Sequence, residues 1–201
     1  MLIQGLPQQT IDKVKHIIAR GEKYHILSLG GGVQSSCLHL MNLAGLITPP
    51  FEFAVFADTQ WERKGTYEYI DYLDQQASSY DFPPIMRVSA GNIRADMLAD
   101  QKHYHHPPLY VDTEKIGQIR RQCTGHYKVT IINREIRKIF GMKRRIQTIG
   151  FSLDEIARRN DSRGPKYIEL RYPLLEMRMT RKDCLNWMTE NMLIFVSYCQ
   201  K

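Results

Sequence analysis

Several features are missing from this sequence, and each absence narrows what it can be. No run of about 18 apolar residues occurs, so no transmembrane helix is expected. The opening MLIQGLPQQT has no basic stretch followed by an apolar core, so it does not read as a secretory signal, and a cytosolic protein is expected. Cysteine is scarce: the four stand at positions 37, 123, 184 and 199. No two form a CxxC pair, and the gaps are too wide for a local zinc site. Without a secretion signal a disulfide framework is not expected, and reduced thiols in the core are. Internal repeats, low-complexity segments and linkers are also absent. The 201 residues fit one domain over 1–201, with an N-terminal helix within 1–22 and a short tail at 191–201 that reads as truncated.

Acidic groups are sparse where basic ones are dense. The net charge is +7. Arg120, Arg121, Lys128, Arg134, Arg137, Lys138, Lys143, Arg144 and Arg145 crowd one part of the chain. Such a run suits a polyanion, either nucleotide or nucleic acid, or is a solvated helix face. Segment 134–145 is the candidate for a nucleic-acid backbone, although no aromatic-interleaved RNA module accompanies it.

What is present alternates between two periodicities. Helical spacing marks 10–20, with Thr10 as N-cap, then 35–44, 66–77, 93–100, 127–140 and 180–190. Short apolar runs at 25–29, 51–57, 84–88 and 145–150 read as strands. Residues 153–159 read as a helical turn, 167–175 as extended chain and 192–196 as a short strand or loose tail. The loop at 102–109 carries His103, His105 and His106, either exposed or metal-binding. This alternation predicts an α/β fold with a mostly parallel sheet and helices on both faces.

Three motifs carry chemistry. The first is strand, glycine turn, helix, with Gly30, Gly31 and Gly32 followed by Ser35 and Ser36. Phosphate needs converging backbone N–H groups with no side chains in the way, and a helix N-terminus adds positive potential. No GK[ST] follows and the spacing is not GxGxxG. The second is Asp58–Glu62 beyond the second strand, where open α/β sheets bind ligands. Asp58 could hold Mg²⁺, accept from a ribose, or merely cap a helix. Trp61 and Tyr67 could stack on adenine or pack in the core. The third is Arg120–Lys128. There Cys123 lies between cations ahead of a helix, a setting that favours thiolate, or it is a buried cap.

Taken in order, the glycine turn preceded by Ser28, the FADTQWE…TY element at 56–67 and the QCTGHYKVTIINREI element at 122–136 resemble the PP-loop superfamily. The likeness is to its phosphoadenosine phosphosulfate (PAPS) reductase-like group of phages and bacteria. It spans about residues 24–190, with RYPLLEMRMTRKDCLNW at 171–187 as its later part. The resemblance implies a Rossmann-like three-layer fold of the adenine nucleotide α-hydrolase kind. It implies a phosphate loop of Ser28, Gly30, Gly31, Gly32, Gln34, Ser35 and Ser36, with Asp58 and Thr59 beside the nucleotide. Cys123 and Lys128 would be the catalytic pair across the pocket, and Gly150 would lie on the next strand-end loop. Arg121, Arg158, Arg163 and Arg171 would meet the anionic substrate, and Asp58 and Asp154 a metal.

The implied ligand is ATP or PAPS, with Mg²⁺ in a pyrophosphatase version and thiolate attack in a reductase version, in sulfur metabolism or sulfur transfer. Gly30 stands where the family has Ser, and Gln34 where it has Asp, which weighs against magnesium-dependent pyrophosphate release. Phage-type relatives carry a cysteine-rich tail for an iron–sulfur cluster. Here Cys123, Cys184 and Cys199 would have to hold one. Two other readings stand beside the enzyme: an accessory factor in nucleic-acid modification, and an inactive nucleotide-binding module. Oligomerisation is left open.

Overall fold

The computed structural model describes residues 5–99, 110–111, 117–118, 124–159 and 164–191. The chain begins with α1 (Gln8–Ala19), which starts behind Pro7 and ends before Gly21 at φ +78°. Thr10, expected as its N-cap, is instead buried inside the first turns, since Pro7 can precede a helix without an N–H to satisfy. There follow β1 (Tyr24–Leu29), α2 (Val33–Leu43), β2 (Phe53–Asp58), α3 (Lys64–Ser79), β3 (Met86–Ser89) and α4 (Ile93–Leu98). A two-residue antiparallel pair, β4 (Tyr110–Val111) and β5 (Gly117–Gln118), comes next. The predicted helix at 127–140 exists, but its first part, Thr124–Thr130, is wound as a wide π-helix before α5 (Ile131–Phe140).

The chain continues through β6 (Arg145–Ile149), a 3₁₀ turn at Leu153–Arg158, β7 (Ile168–Arg171), α6 (Pro173–Glu176) and α7 (Arg181–Asn191). The extended reading of 167–175 therefore stops at Arg171. Pro173 fits the first turn of a helix and cannot donate to a sheet ladder. The histidine loop and the last predicted strand lie outside the described residues.

Five strands form one sheet in the order β3-β2-β1-β6-β7, every pair parallel. Side chains alternate across it, as a pleat requires. Leu27, Leu29 and Phe56 face α2, α3 and α7 in one core, with Leu38, Ile70, Leu73, Cys184 and Met188. Tyr24, Ile26, Val55 and Val88 face α1 and α5 in the other, with Val14, Ile131, Ile136 and Phe140. This is the three-layer, Rossmann-like arrangement expected. Cys37 and Cys184 are free thiols buried in the first core. Among the described residues no helix is long and apolar enough to cross a membrane.

From β1 the chain first builds outward through β2 and β3. It then returns to lay β6 on the other flank of β1. The order reverses between β1 and β6, and in open sheets that reversal opens a crevice at the carboxyl ends of the strands.

Buried His39 and half-buried Glu52 oppose each other in acid. Burial between Phe51 and Phe82, offset in part by the Leu73 backbone, lowers the His39 pKa to about 4. The unfolded chain then takes up the proton first, so His39 lowers stability as pH falls from about 6.5 towards 4, by roughly 3 kcal/mol in full. Burial also raises the Glu52 carboxyl to about 7, against the opposing hydrogen bond from the His25 N–H. Here the folded state binds the extra proton, so this group adds stability as pH falls through 7 towards 4.5. The two slopes oppose between about pH 4.5 and 6.5. His39→Leu should unmask the second, with Tm rising on acidification from pH 7 to 5. A pH dependence of Tm unchanged from wild type would refute the assignment.

Candidate functional site

The glycine turn joins β1 to α2 at that reversal. Gly31 has φ +71°, a conformation that glycine adopts freely. A Cβ there would stand 3.1 Å from Thr66 Cγ2 of α3. Gly32 is different. It is the N-cap of α2, with ordinary extended angles (φ −90°, ψ 168°), and a Cβ on it would meet nothing within 4 Å. Nothing in the protein therefore requires glycine at 32, and Ser, Thr, Asp or Asn would normally be preferred at an N-cap. No side chain caps α2 and no acidic residue lies in its first turn. The result is open space over a helix N-terminus whose first N–H groups have no intrahelical partner.

The serines divide by role. Ser35 Oγ accepts the Gly30 N–H (3.1 Å) and donates to the Gly32 carbonyl (3.2 Å), so its single proton braces the turn. Ser36 is fully buried in α2. Ser28, below the turn, accepts from Gln147 Nε2 at 2.8 Å. Gly150, at the end of β6, is pressed onto the same helix turn: a Cβ there would lie 2.7 Å from Ser35 N and 2.9 Å from Ser35 Cα.

Gln34 ties three elements together. Its Nε2 donates to Glu155 Oε2 (3.1 Å) and Ser152 Oγ (3.4 Å), and its Oε1 accepts from Arg181 Nη1 (3.0 Å). Arg181 opens α7 behind a Thr180–Asp183 capping pair, and its own N–H donates to Asp154 Oδ2 at 2.6 Å. A guanidinium thus stands one hydrogen bond from the first turn of α2. The sequence reading missed Arg181: the T-x-x-D signal announces the helix start but not what the helix docks against.

Across the crevice, Asp58 is buried and its Oδ1 accepts from the Gln60 N–H (2.7 Å) and Tyr67 OH (2.8 Å). Burial, then the Asp58 hydrogen bond, raises the Tyr67 phenol to about 12, so it stays a donor. Thr59 Oγ1 donates to Glu62 Oε1 (3.1 Å), and Lys128 Nζ reaches the same carboxylate oxygen at 3.3 Å. Asp58, Thr59 and Lys128 are therefore brought together, through Glu62.

Other predicted residues are committed elsewhere. Arg158 pairs with Glu155 and lies over the Phe151 ring. Arg171 is held by Glu176 and by the carbonyls of Thr48 and Pro49, beyond the C-terminal end of α2. Asp154 caps Arg181 and accepts from Ser152. Among the described residues no group of three potential ligands gathers to hold a metal, and Asp58 and Asp154 are each engaged with protein donors. Cys123, Arg121 and Arg163 lie outside the described residues, as does Cys199. On α5 and the turn after it, Arg134, Arg137, Lys138, Lys143 and Arg144 are exposed, with Glu135 bridging Arg134 and Lys138.

Set against known proteins, the chain matches no protein-family model and no curated protein.

Proposed function

We propose that this protein binds an adenine nucleotide, ATP or PAPS, with its phosphates over the turn Gly30–Ser36. In this reading it acts as a PP-loop enzyme of the PAPS reductase-like kind. The observation that carries the reading is Gly32: an uncapped N-cap glycine, open on its outer side, at the switch point of a parallel sheet. A phosphate oxygen accepted there would supply the cap that the chain omits. The backbone N–H groups of Gly32, Val33 and Gln34 would hold the anion, Arg181 would add a positive charge beside it, and Asp58 would accept from the ribose. A nucleotide so held brings a phosphoanhydride or sulfonate to the crevice. Lys128, across from the turn, would stabilise charge that develops on its oxygens. Cys123 is the thiol proposed for a reductase version.

Gly32→Asp tests this without disturbing the fold. The carboxylate would cap α2 well, so thermal stability should hold or rise slightly. The same negative charge would repel phosphate. Wild-type protein at 100 Kd of ATP or PAPS should gain about 2.7 kcal/mol, which is several degrees in Tm for a chain of this size. Gly32→Asp should gain nothing. A nucleotide-induced shift that survives in Gly32→Asp would sink the assignment. Which ligand shifts the wild type chooses between ATP and PAPS.

A second reading, a nucleic-acid accessory factor, draws support from α5. Its apolar side is buried while Arg137, Lys143 and Arg144 face solvent with no acidic partner among the described residues. Charge reversal at those three residues should weaken DNA or RNA binding and flatten its salt dependence in a titration at two ionic strengths.

A further inference from the structure

We propose that Trp61 is the stacking platform for the base of the nucleotide, a subsite that rests on the phosphate reading above. Trp61 is 50% exposed, so it packs in no core. Yet the backbone that carries it is held on both sides. The Gln60 N–H binds Asp58, the Gln60 carbonyl accepts from Asn92 Nδ2 (3.0 Å), and the Glu62 N–H donates to Tyr67 OH (3.3 Å). Glu62 is further tied by Thr59 and Lys128. Gln60 is kept at φ +56°, a strained conformation for a residue with a Cβ. These restraints fix the backbone around Trp61, while its side chain stays half exposed. A backbone held in this way lowers the freedom the residue has to lose on meeting a planar partner.

Its position fits that partner. The segment leaves β2, the strand next to β1, with Leu29 paired to Phe56 just before both chains exit the sheet. Five residues on, Thr66 touches the position of Gly31. The segment that bears Trp61 therefore stands on the β2 rim of the crevice, and the phosphate turn forms the adjoining wall. Aromatic stacking accepts any nucleobase, because each has a π-face. The subsite would thus grip a base without choosing strongly among bases, which points to an aromatic nucleotide as ligand class and leaves selectivity to other groups.

The test uses two probes and two variants. Trp187, half-buried on α7 away from this rim, is replaced in Trp187→Phe so that Trp61 is the sole indole. ATP should then quench its emission, and inorganic tripolyphosphate, which has no base, should not. By calorimetry, Trp61→Ala should weaken ATP by about 5- to 100-fold and leave tripolyphosphate affinity unchanged, while Trp61→Phe recovers most of the loss. ATP binding equally well to Trp61→Ala, with no quenching, would overturn the stacking subsite and leave the phosphate site standing. If neither ATP nor tripolyphosphate binds wild type, the phosphate reading fails and the subsite falls with it.

Discussion

Gly150→Ala should lower the stability of the protein by about 2–3 kcal/mol, the usual size of an overpacking defect at a rigid contact. That corresponds to about 5–10 °C in Tm at this chain length. The reason is what the new methyl would meet. Its neighbours would be Ser35 N at 2.7 Å, Ser35 Cα at 2.9 Å and the Gln34 carbonyl carbon at 3.1 Å, all backbone. A flexible side chain could swing aside; a helix turn has to move as a unit. Ser35 also braces Gly30 and Gly32, so the displacement would pass directly into the glycine turn. Nucleotide-induced stabilisation should therefore fall together with Tm, unlike in Gly32→Asp, where only the former is lost. A thermal scan with and without ATP checks both. A Tm within about 2 °C of wild type would show that β6 and α2 separate easily.

Arg145→Ala should be worse, at about 3–5 kcal/mol, while Arg145→Met should stay within about 1.5 kcal/mol of wild type. Arg145 is fully buried on the α1/α5 side of the sheet. Its guanidinium binds Gln147 Oε1 (3.0 Å) and Asn133 Oδ1 and lies over the Tyr167 ring, partners that are all neutral. Burial lowers its pKa, with Tyr24 acting in the opposite direction. Alanine would leave a cavity and strand the two amides. Methionine would fill most of the space and remove a charge that no described carboxylate compensates. Denaturant unfolding of the pair separates the two effects. Equal losses would mean that the charge itself, and not the volume, stabilises the fold. Gln147 also holds Ser28 under the glycine turn, so Arg145→Ala should soften the site from below.

Much of the fold was legible because its signals are local. The apolar runs ending in glycine or Asp identify the strands within about two residues, and the Ile spacing finds α5 but not the π-helix that precedes it. The failures occur where a neighbour decides. Thr10 looked like a cap until Pro7 took the start of α1. The 167–175 segment looked extended until Pro173 turned it into a helix. The site was legible in part for the same reason. Gly31 announces a left-handed turn, and Asp58 sits at a strand end by sequence alone. Nothing local says that Gln34 would bridge Ser152, Glu155 and Arg181, or that Arg171 would be spent on the carbonyls of Thr48 and Pro49. Nor does sequence say that Trp61, in a DTQWER run, would be half exposed on a hydrogen-bonded backbone. Those facts arise from pairings between segments more than a hundred residues apart or from backbone geometry that composition does not encode.

The pairing of β1 with β6, in which Tyr24 meets Arg145 and Ser28 meets Ile149, also sets an order of events during synthesis. The glycine turn leaves the ribosome well before β6, the strand that completes its surroundings. Contacts of such wide sequence separation form slowly, since the intervening loop must close before they are rewarded. A nascent chain that has not yet extended past β6 carries the whole phosphate-binding sequence without the Gly150 wall against which α2 is seated. Ligand capture would then be a property only of chains that have extended past Gly150, and nucleotide would act late, trapping chains that have already closed the sheet and not guiding them there.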